Sequence, residues 1–336
     1  MRDLDLGELR ERATAAAQGW APGCAVEGIE VLPGGTVGLV YSADDVGGPP
    51  EHPRLVLKVA PPGLPPVRNR DVLRQARCIG ALAGQPGVNV PPLLFTDAGD
   101  PDDLPPLFAT SLVAGECAEP LLEAERNRRP DDIVHGRAVG AARMLAALHR
   151  VDPAAVGLGD EPITSLVGEV DRWTRTFDTV PDEVRTGYQA CADALRATAP
   201  EPLPGVVVHG DYRLGNMLSE GTEVRAVIDW EIWSRSDPRI DLSWFLFFTE
   251  EAGHPVVAPD VDSGMPSDAV LLGAYEAAAG VVVADLAWFH ALTRFKEAAA
   301  MALIAKHASR RGHSDSLARM AAILPALIAD AHRRVA

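Results

Sequence analysis

The stretch VVHGDYRLGNMLSEGTEVRAVIDWEIWS, from Val207 to Ser234, packs unusual chemistry into a short span. His209, Gly210 and Asp211 follow an apolar β-branched run, Asn216 comes five residues after Asp211, and Asp229 comes thirteen after Asn216. GVVVHG and VRAVIDW each read as a short strand, because Val and Ile suit the pleated, half-buried backbone of a sheet. A strand–loop–strand arrangement would bring the two strand mouths together, so that Asp211, Asn216 and Asp229 face one small volume. All three are hard oxygen donors. Mg²⁺ takes a few such ligands and completes its shell with water and phosphate oxygens. A carboxylate left off the metal can orient and deprotonate an attacking hydroxyl.

Composition bounds the class of molecule. The chain has 336 residues, long enough for two domains or lobes. Apolar residues make up 47% and charged residues 23%, which supports a large core and argues against disorder. The formal net charge of −16 weighs against nucleic acid or an anionic membrane as partner. No run of eighteen apolar residues suggests a membrane span, and MRDLDLGELRERATAAAQGW lacks the apolar core of a secretory signal. Cys24, Cys78, Cys117 and Cys191 stand apart in mostly apolar contexts and read as buried free thiols. A cytoplasmic location is the expectation from these features, and oligomeric state has no signature here.

Outward from the quoted stretch, the chain divides by texture. Residues 3–18 read as a helix, with Leu4, Leu6, Leu9, Ala13 and Ala16 loosely spaced by three and four. GIEVLPGGTVGLVYSA gives two strands around Pro33-Gly34-Gly35, and RLVLKVA alternates around Lys58. Residues 69–83 present Val72, Ala76, Ile79 and Leu82 on one helical face, and VPPLLFTDA and PLFATSLVAG give two more strands. Beyond residue 119 or so, helices are expected at 137–149, 167–177, 182–198, 270–279, 285–309 and 314–335. The fold class is therefore α+β, with a small antiparallel sheet carrying one helix at residues 1–113 and a mostly helical part at 114–336, hinged near 111–115.

Phosphoryl transfer needs a positioned nucleophile, metal ions bridging the phosphates and a cation on the nucleotide. The protein-kinase pattern supplies these with H-R-D-x-x-x-x-N, a later metal-binding Asp and a lysine on an earlier strand. His209-Gly210-Asp211…Asn216 keeps the Asp-to-Asn spacing, Ile228-Asp229-Trp230 stands where that pattern has D-F-G, and Lys58 in VLKVA matches the strand lysine. Each piece alone is weak, because a lone edge-strand lysine is usually solvated and His-Gly-Asp can simply be an Asx turn. Their order along one chain carries the signal.

HGDYRLGNML followed by VIDWE, together with DPRIDLSW and LAALHRVDP, resembles the aminoglycoside phosphotransferase family, which includes choline and homoserine kinase relatives. The likeness runs from about residue 32 to 311 and is greatest for the bacterial branch related to the kinase-like domain fused to acyl-CoA dehydrogenases. It implies a bilobal protein-kinase-like fold and ATP- and Mg²⁺-dependent O-phosphorylation of a hydroxylated small molecule. By this resemblance Asp211 is the catalytic base, Asn216 and Asp229 hold Mg²⁺, and Lys58 meets the α/β-phosphates. Gly34 and Gly35 lie in the turn over the phosphates, and the backbone of Ser111, Leu112 and Val113 meets adenine. His209 and Arg213 are expected to support the loop, Asp241 to cap a helix or accept a buried hydrogen bond, Glu231 to help hold a cationic substrate, and Trp233 to pack in the core, with a substrate wall as the alternative.

Two departures from the family pattern stand out. The family's glutamate partner for the strand lysine falls at Gln75, which carries no charge, with Asp71 one turn earlier as a substitute. LPGGTVGLVY also lacks the polar Ser-Asn pair found in many relatives. Gln75 keeps open a second reading, a nucleotide-binding pseudokinase or regulator. The acceptor is open as well, between an aminoglycoside and a hydroxyacyl thioester or other hydroxylated metabolite. A hydrolase using His209 and Asp211 with a metal is a third class, which would not need Lys58.

Overall fold

The computed structural model describes residues 4–32, 39–100, 104–123, 127–257, 262–313 and 315–336. Gly34 and Gly35, expected over the phosphates, lie outside the described residues. The chain forms two compact units: Met1–Ala118 with Ala154–Gly159 and Gly215–Trp233, and Glu119–Pro153 with Asp160–Leu214 and Ser234–Ala336. This grouping differs from a single cut at residue 113, since the segment carrying Asn216 and Asp229 clusters with the N-terminal unit.

The first unit is a five-stranded antiparallel sheet in the order β1(Ala25–Val31), β2(Leu39–Val46), β3(Arg54–Val59), β5(Leu107–Ser111), β4(Leu93–Asp97). Along β3 the side chains alternate: Leu55, Leu57 and Val59 are fully buried, while Val56 and Lys58 point to the opposite face. The buried face meets α1(Leu6–Trp20), whose Leu9, Ala13 and Ala17 complete a core with Val26, Tyr41, Leu94, Phe95 and Leu107. Asp5 starts that helix by accepting from the amides of Gly7 and Glu8, which delays its onset past the expected residue 3. Arg12 then ties helix to sheet through Asp97 at 2.7 Å and the Pro105 carbonyl at 2.8 Å.

The helix α2(Val72–Leu82) begins at the Asp71 cap. A two-stranded hairpin, β7(Met217–Glu220) with β8(Glu223–Val227), joins the same unit. The Asn89 side chain donates to Val224 O at 2.8 Å, and Glu116 and Ser219 exchange backbone bonds at 3.0 Å. This hairpin corrects the expected strand–loop–strand arrangement. MLSE, too short to read as a strand alone, pairs with EVRAV across a tight Gly221-Thr222 turn, with Gly221 at φ 55°.

In the second unit β6(Val206–Val208) pairs with β9(Ser234–Ser236) instead of with β8. The rest is helical: α3(Asp131–His149), α4(Leu166–Phe177), α5(Tyr188–Ala197), α6(Arg239–Leu246), α7(Asp268–Ala279), α8(Leu286–Arg310) and α9(Asp315–Arg333). Helix α8 is the axis. Its Trp288, Phe289, Leu292, Phe295 and Ala299 pack among Val170 and Phe177 of α4, Leu195 of α5, Trp244 of α6 and Leu324 and Ile328 of α9. Helix α5 starts six residues later than the expected 182, because Gly187 at φ 84° breaks the run after one 3₁₀ turn. The four cysteines are free as expected, but Cys117 is exposed while the other three are buried. Among the described residues, no helix is long and apolar enough to cross a membrane.

Candidate active site

In the first unit the functional side chains gather around Lys58. Its ammonium lies 3.2 Å from Asp229 Oδ1 and 2.9 Å from Glu231 Oε1, although 171 residues separate it from Asp229. The lysine side chain is 12% exposed and that of Asp229 is 39% exposed, so the pair sits half in water. Asp229 lies two residues beyond the end of β8 and adopts the left-handed conformation, φ 66° and ψ 54°, which Asp tolerates better than most residues. That turn directs the chain into the 3₁₀ segment Trp230–Ile232, which carries Glu231 to the lysine.

Asn216 immediately precedes β7, and its carbonyl accepts from Ile228 N at 2.9 Å. Because Met217 faces Val227 in register, Asn216 and Asp229 flank the open end of one hairpin. Their hard oxygen donors fit Mg²⁺, which is held by one or two protein groups and takes its remaining ligands from water and phosphate.

The expected lysine-orienting residues are engaged elsewhere. Gln75 is buried and its amide donates to Asn69 O at 3.0 Å, while Asp71 accepts from Arg74 N at 3.0 Å as the cap of α2. Glu231, expected at the substrate, supplies the lysine's second carboxylate instead. Trp233, open between core packing and a substrate wall, is 1% exposed and clamped to α2. Arg74 stacks 4.1 Å over its ring and donates to its carbonyl at 2.9 Å, while its indole donates to Arg74 O at 3.2 Å. Ser111 N donates to Pro92 O and Leu112 N to Arg54 O, each at 2.9 Å, so both amides serve the sheet.

The second unit holds Asp211. Its Oδ1 accepts from Trp244 Nε1 at 2.8 Å and from Arg213 Nε at 3.3 Å, and its own amide donates to His209 Nδ1 at 3.1 Å. Arg213 also lies 3.5 Å from Glu119. The loop is braced from beneath by Asp241, which is completely buried at the start of α6 and accepts from His209 N at 2.6 Å and Gly210 N at 2.8 Å. Burial alone would raise the Asp241 carboxyl. His149 at 3.6 Å, the nearby His209 ring and the Gly210 amide outweigh that and hold it below its ordinary value. His149 is oriented in turn by Tyr275, 2.8 Å from Nδ1.

One residue of this cluster is absent from the expectations above. Lys296 of α8 is 5% exposed, donates to the Gly210 carbonyl and places its ammonium 3.6 Å over the Trp244 ring. Burial brings it down to about 8, against the opposing pull of Asp211, Asp241 and Glu169. A signal existed in the sequence: Lys296 falls four residues after Leu292 and three before Ala299, on the apolar stripe of the helix.

The three oxygen-bearing side chains thus belong to two clusters, Asn216 and Asp229 with Lys58 in the first unit, and Asp211 with Trp244, Arg213 and Lys296 in the second.

Solved structures share this fold. A candidate aminoglycoside phosphotransferase from Ralstonia eutropha superposes with a TM-score of 0.72 over 97% of each chain at 21% identity. A macrolide 2′-phosphotransferase type I gives 0.61 over 95% of this chain and 96% of its own, at 23% identity. Such likeness establishes the protein-kinase-like α+β fold. Among curated sequences, human acyl-CoA dehydrogenase family member 11 is 27% identical over 171 residues, which is 48% of this chain and 22% of that protein. The chain therefore matches only about a fifth of that relative's length. The model of the phosphotransferase enzyme family matches residues 28–292, most of the chain, and the protein belongs to that family of enzymes.

Proposed function

We propose that this phosphotransferase transfers the γ-phosphoryl group of ATP to a hydroxyl of a small molecule, with Asp211 as the base. The observation that carries the reading is the Lys58–Asp229 pair, which brings a cation on the central strand of a sheet to the carboxylate that ends the hairpin. A phosphate-binding cation beside a metal-binding carboxylate is what a nucleotide triphosphate with its counter-ion requires. Asn216 and Asp229 would hold Mg²⁺, which supplies charge neutralisation on the phosphates when bound. Lys58 then exchanges Asp229 for phosphate oxygens, and Glu231 keeps it extended toward them. The adenine is assigned to the backbone at Val113, since the amides of Ser111 and Leu112 already serve the sheet.

Asp211 receives the acceptor's proton. Trp244 and Arg213 both donate to Oδ1, which fixes the plane of the carboxylate. The C-terminal helices α7 and α8 supply the acceptor region.

The experiment is a panel of hydroxylated compounds scored by ADP release from Mg·ATP, run beside Asp211→Ala. Acceptor-dependent ADP release that is lost in the variant supports the reading. ATP binding with no transfer to any acceptor would favour the pseudokinase alternative. Parallel runs with GTP decide the purine, since a solved aminoglycoside 2′-phosphotransferase-IIIa of this fold is a GDP complex.

A second acceptor class, a hydroxyacyl thioester, draws on two observations. The curated relatives are acyl-CoA dehydrogenase family members. Arg213 stands 3.3 Å from the proposed base and is partly exposed, a local positive charge that suits an anionic acceptor better than a polycationic one. The panel therefore includes aminoglycosides and hydroxyacyl thioesters side by side.

A further inference from the structure

Lys296 is a buried cation of the second unit that the scheme above leaves without a task. Among the described residues, its ammonium has no carboxylate at hydrogen-bond distance. It is closed in by the Gly210 carbonyl, the face of Trp244 at 3.6 Å and the more distant face of Trp173 at 5.7 Å. An ammonium stripped of water is costly to keep in the interior, and a carbonyl with a π-face offsets only part of that cost. A lysine retained in such a place invites the question of what it holds. Both of its contacts lead to one atom. Gly210 is the residue before Asp211, and the indole under the ammonium donates its N–H to Asp211 Oδ1 at 2.8 Å.

We propose that Lys296 is a positioning residue for Asp211, clamping the Gly210 carbonyl and the Trp244 ring together so that the indole N–H presents the carboxylate in one orientation. The proposal rests on the reading of Asp211 as the base. The clamp works in two directions. The ammonium–carbonyl bond sets the peptide that leads into Asp211, where Gly210 turns at φ 86°. The ammonium over the ring resists rotation of Trp244, and so of its N–H. Neither contact touches an acceptor or a phosphate. Removing the clamp should leave binding intact and degrade the alignment of the base, and misplacement by about 1 Å costs on the order of 100-fold in rate.

The charged groups that act on Lys296 are Asp211 on the loop, Asp241 on α6, and Glu169 and Arg172 on α4. With the ammonium titrating at about 8 in the folded chain, the clamp is present below that pH and released above it.

The test uses the full chain, with Mg·ATP as probe and water as acceptor, and follows ADP release. The indole N–H resonance of Trp244, assigned with Trp244→Phe, gives a second reading. Lys296→Met keeps the stem and removes the charge. It is expected to retain or raise Tm, because an unpaired buried charge is replaced by an apolar chain of similar volume. ADP release should fall about tenfold or more while KM for Mg·ATP stays within about twofold. Trp244→Phe, which keeps an aromatic face but loses the indole N–H, should lose rate to a similar degree. In the wild type the Trp244 indole resonance should step near pH 8, and the step should vanish in Lys296→Met.

Full rates in Lys296→Met and Trp244→Phe beside an inactive Asp211→Asn would overturn the clamp and leave the base standing. Undiminished release from Asp211→Asn would instead defeat the base assignment, and the indole titration would still decide whether Lys296 orients Trp244. If Lys296→Met does not fold, or water proves too poor an acceptor, the wild-type titration decides alone. An indole resonance unchanged from about pH 6.5 to 9.5 would sink the proposal.

Discussion

The two units handle a lysine in opposite ways. Lys58 stands on the outward side of a sheet, with 12% of its side chain exposed, between two carboxylates at 2.9 and 3.2 Å. Lys296 is sealed inside a helical core with a carbonyl and two aromatic faces. The first arrangement suits a group that must change partners, because carboxylates and solvent can yield to another anion at modest cost. The second suits a group that must not move, since its contacts to the Gly210 carbonyl and the Trp244 face are close and water is excluded. The carboxylates divide likewise. Asp229 is 39% exposed in a left-handed turn, while Asp241 is completely buried beneath two backbone amides. Groups that would meet a ligand are left open, and groups that shape the loop are closed in.

Breaking this contrast should be most costly at Asp211. Asp211→Asn keeps the indole contact and removes the proton acceptor, so transfer should fall by about 10²–10⁴-fold with the fold intact, read by ADP release and thermal melting. Next is Asp241→Ala, which strands two buried amides and should destabilise the chain by about 3 kcal/mol in a denaturant titration. The pH dependence of that site has a defined sign. The Asp241 carboxyl titrates lower in the folded chain than its ordinary 3.8, so its stabilisation is complete above that value and drains away as pH falls below it. Asp241→Asn should lack this acid limb in melts followed by circular dichroism.

Lys296 carries the same sign in an alkaline window. Its folded value of about 8 lies below the ordinary 10.5, so the wild type should gain stability between those values as the folded state sheds the proton first. Lys296→Met should show no such gain. Smaller still is Glu231→Gln, which leaves Lys58 a hydrogen bond but not a charge. KM for Mg·ATP should rise about fivefold, roughly 1 kcal/mol, with kcat less affected. A change in kcat alone would mean that Glu231 serves the acceptor rather than the lysine. Arg74→Ala should have the least effect, about 1 kcal/mol of stability from the lost stack on Trp233.

Much of this was legible from local pattern. The alternation of RLVLKVA located β3 and turned Lys58 to the open face, and the periodicity of residues 69–83 located α2. The order His-Gly-Asp, Asn, Asp identified the chemistry. The hairpin β7–β8 was not legible as two strands, because four residues are too few to show a period, and only the cross-strand partner makes MLSE extended. The lysine's partner was sought one helix away, at Gln75 and Asp71, and found at Glu231. Trp233 was open between core packing and a substrate wall, and it is a buried clamp, since a tryptophan's polar edge can be satisfied inside as well as at a cleft.

Sequence alone carried the resemblance to the family through its motifs, and it determined the class of fold, the positions of most helices and the residue types able to carry phosphoryl transfer, because these follow from patterns within a few turns or strands. Tertiary structure alone decided the partners: Glu231 and Asp229 on Lys58, Trp244 on Asp211, and Lys296 beneath Gly210, 86 residues away along the chain. Such pairs depend on how buried faces pack across long stretches of chain, where a one-residue change of register or a different rotamer gives a side chain different neighbours.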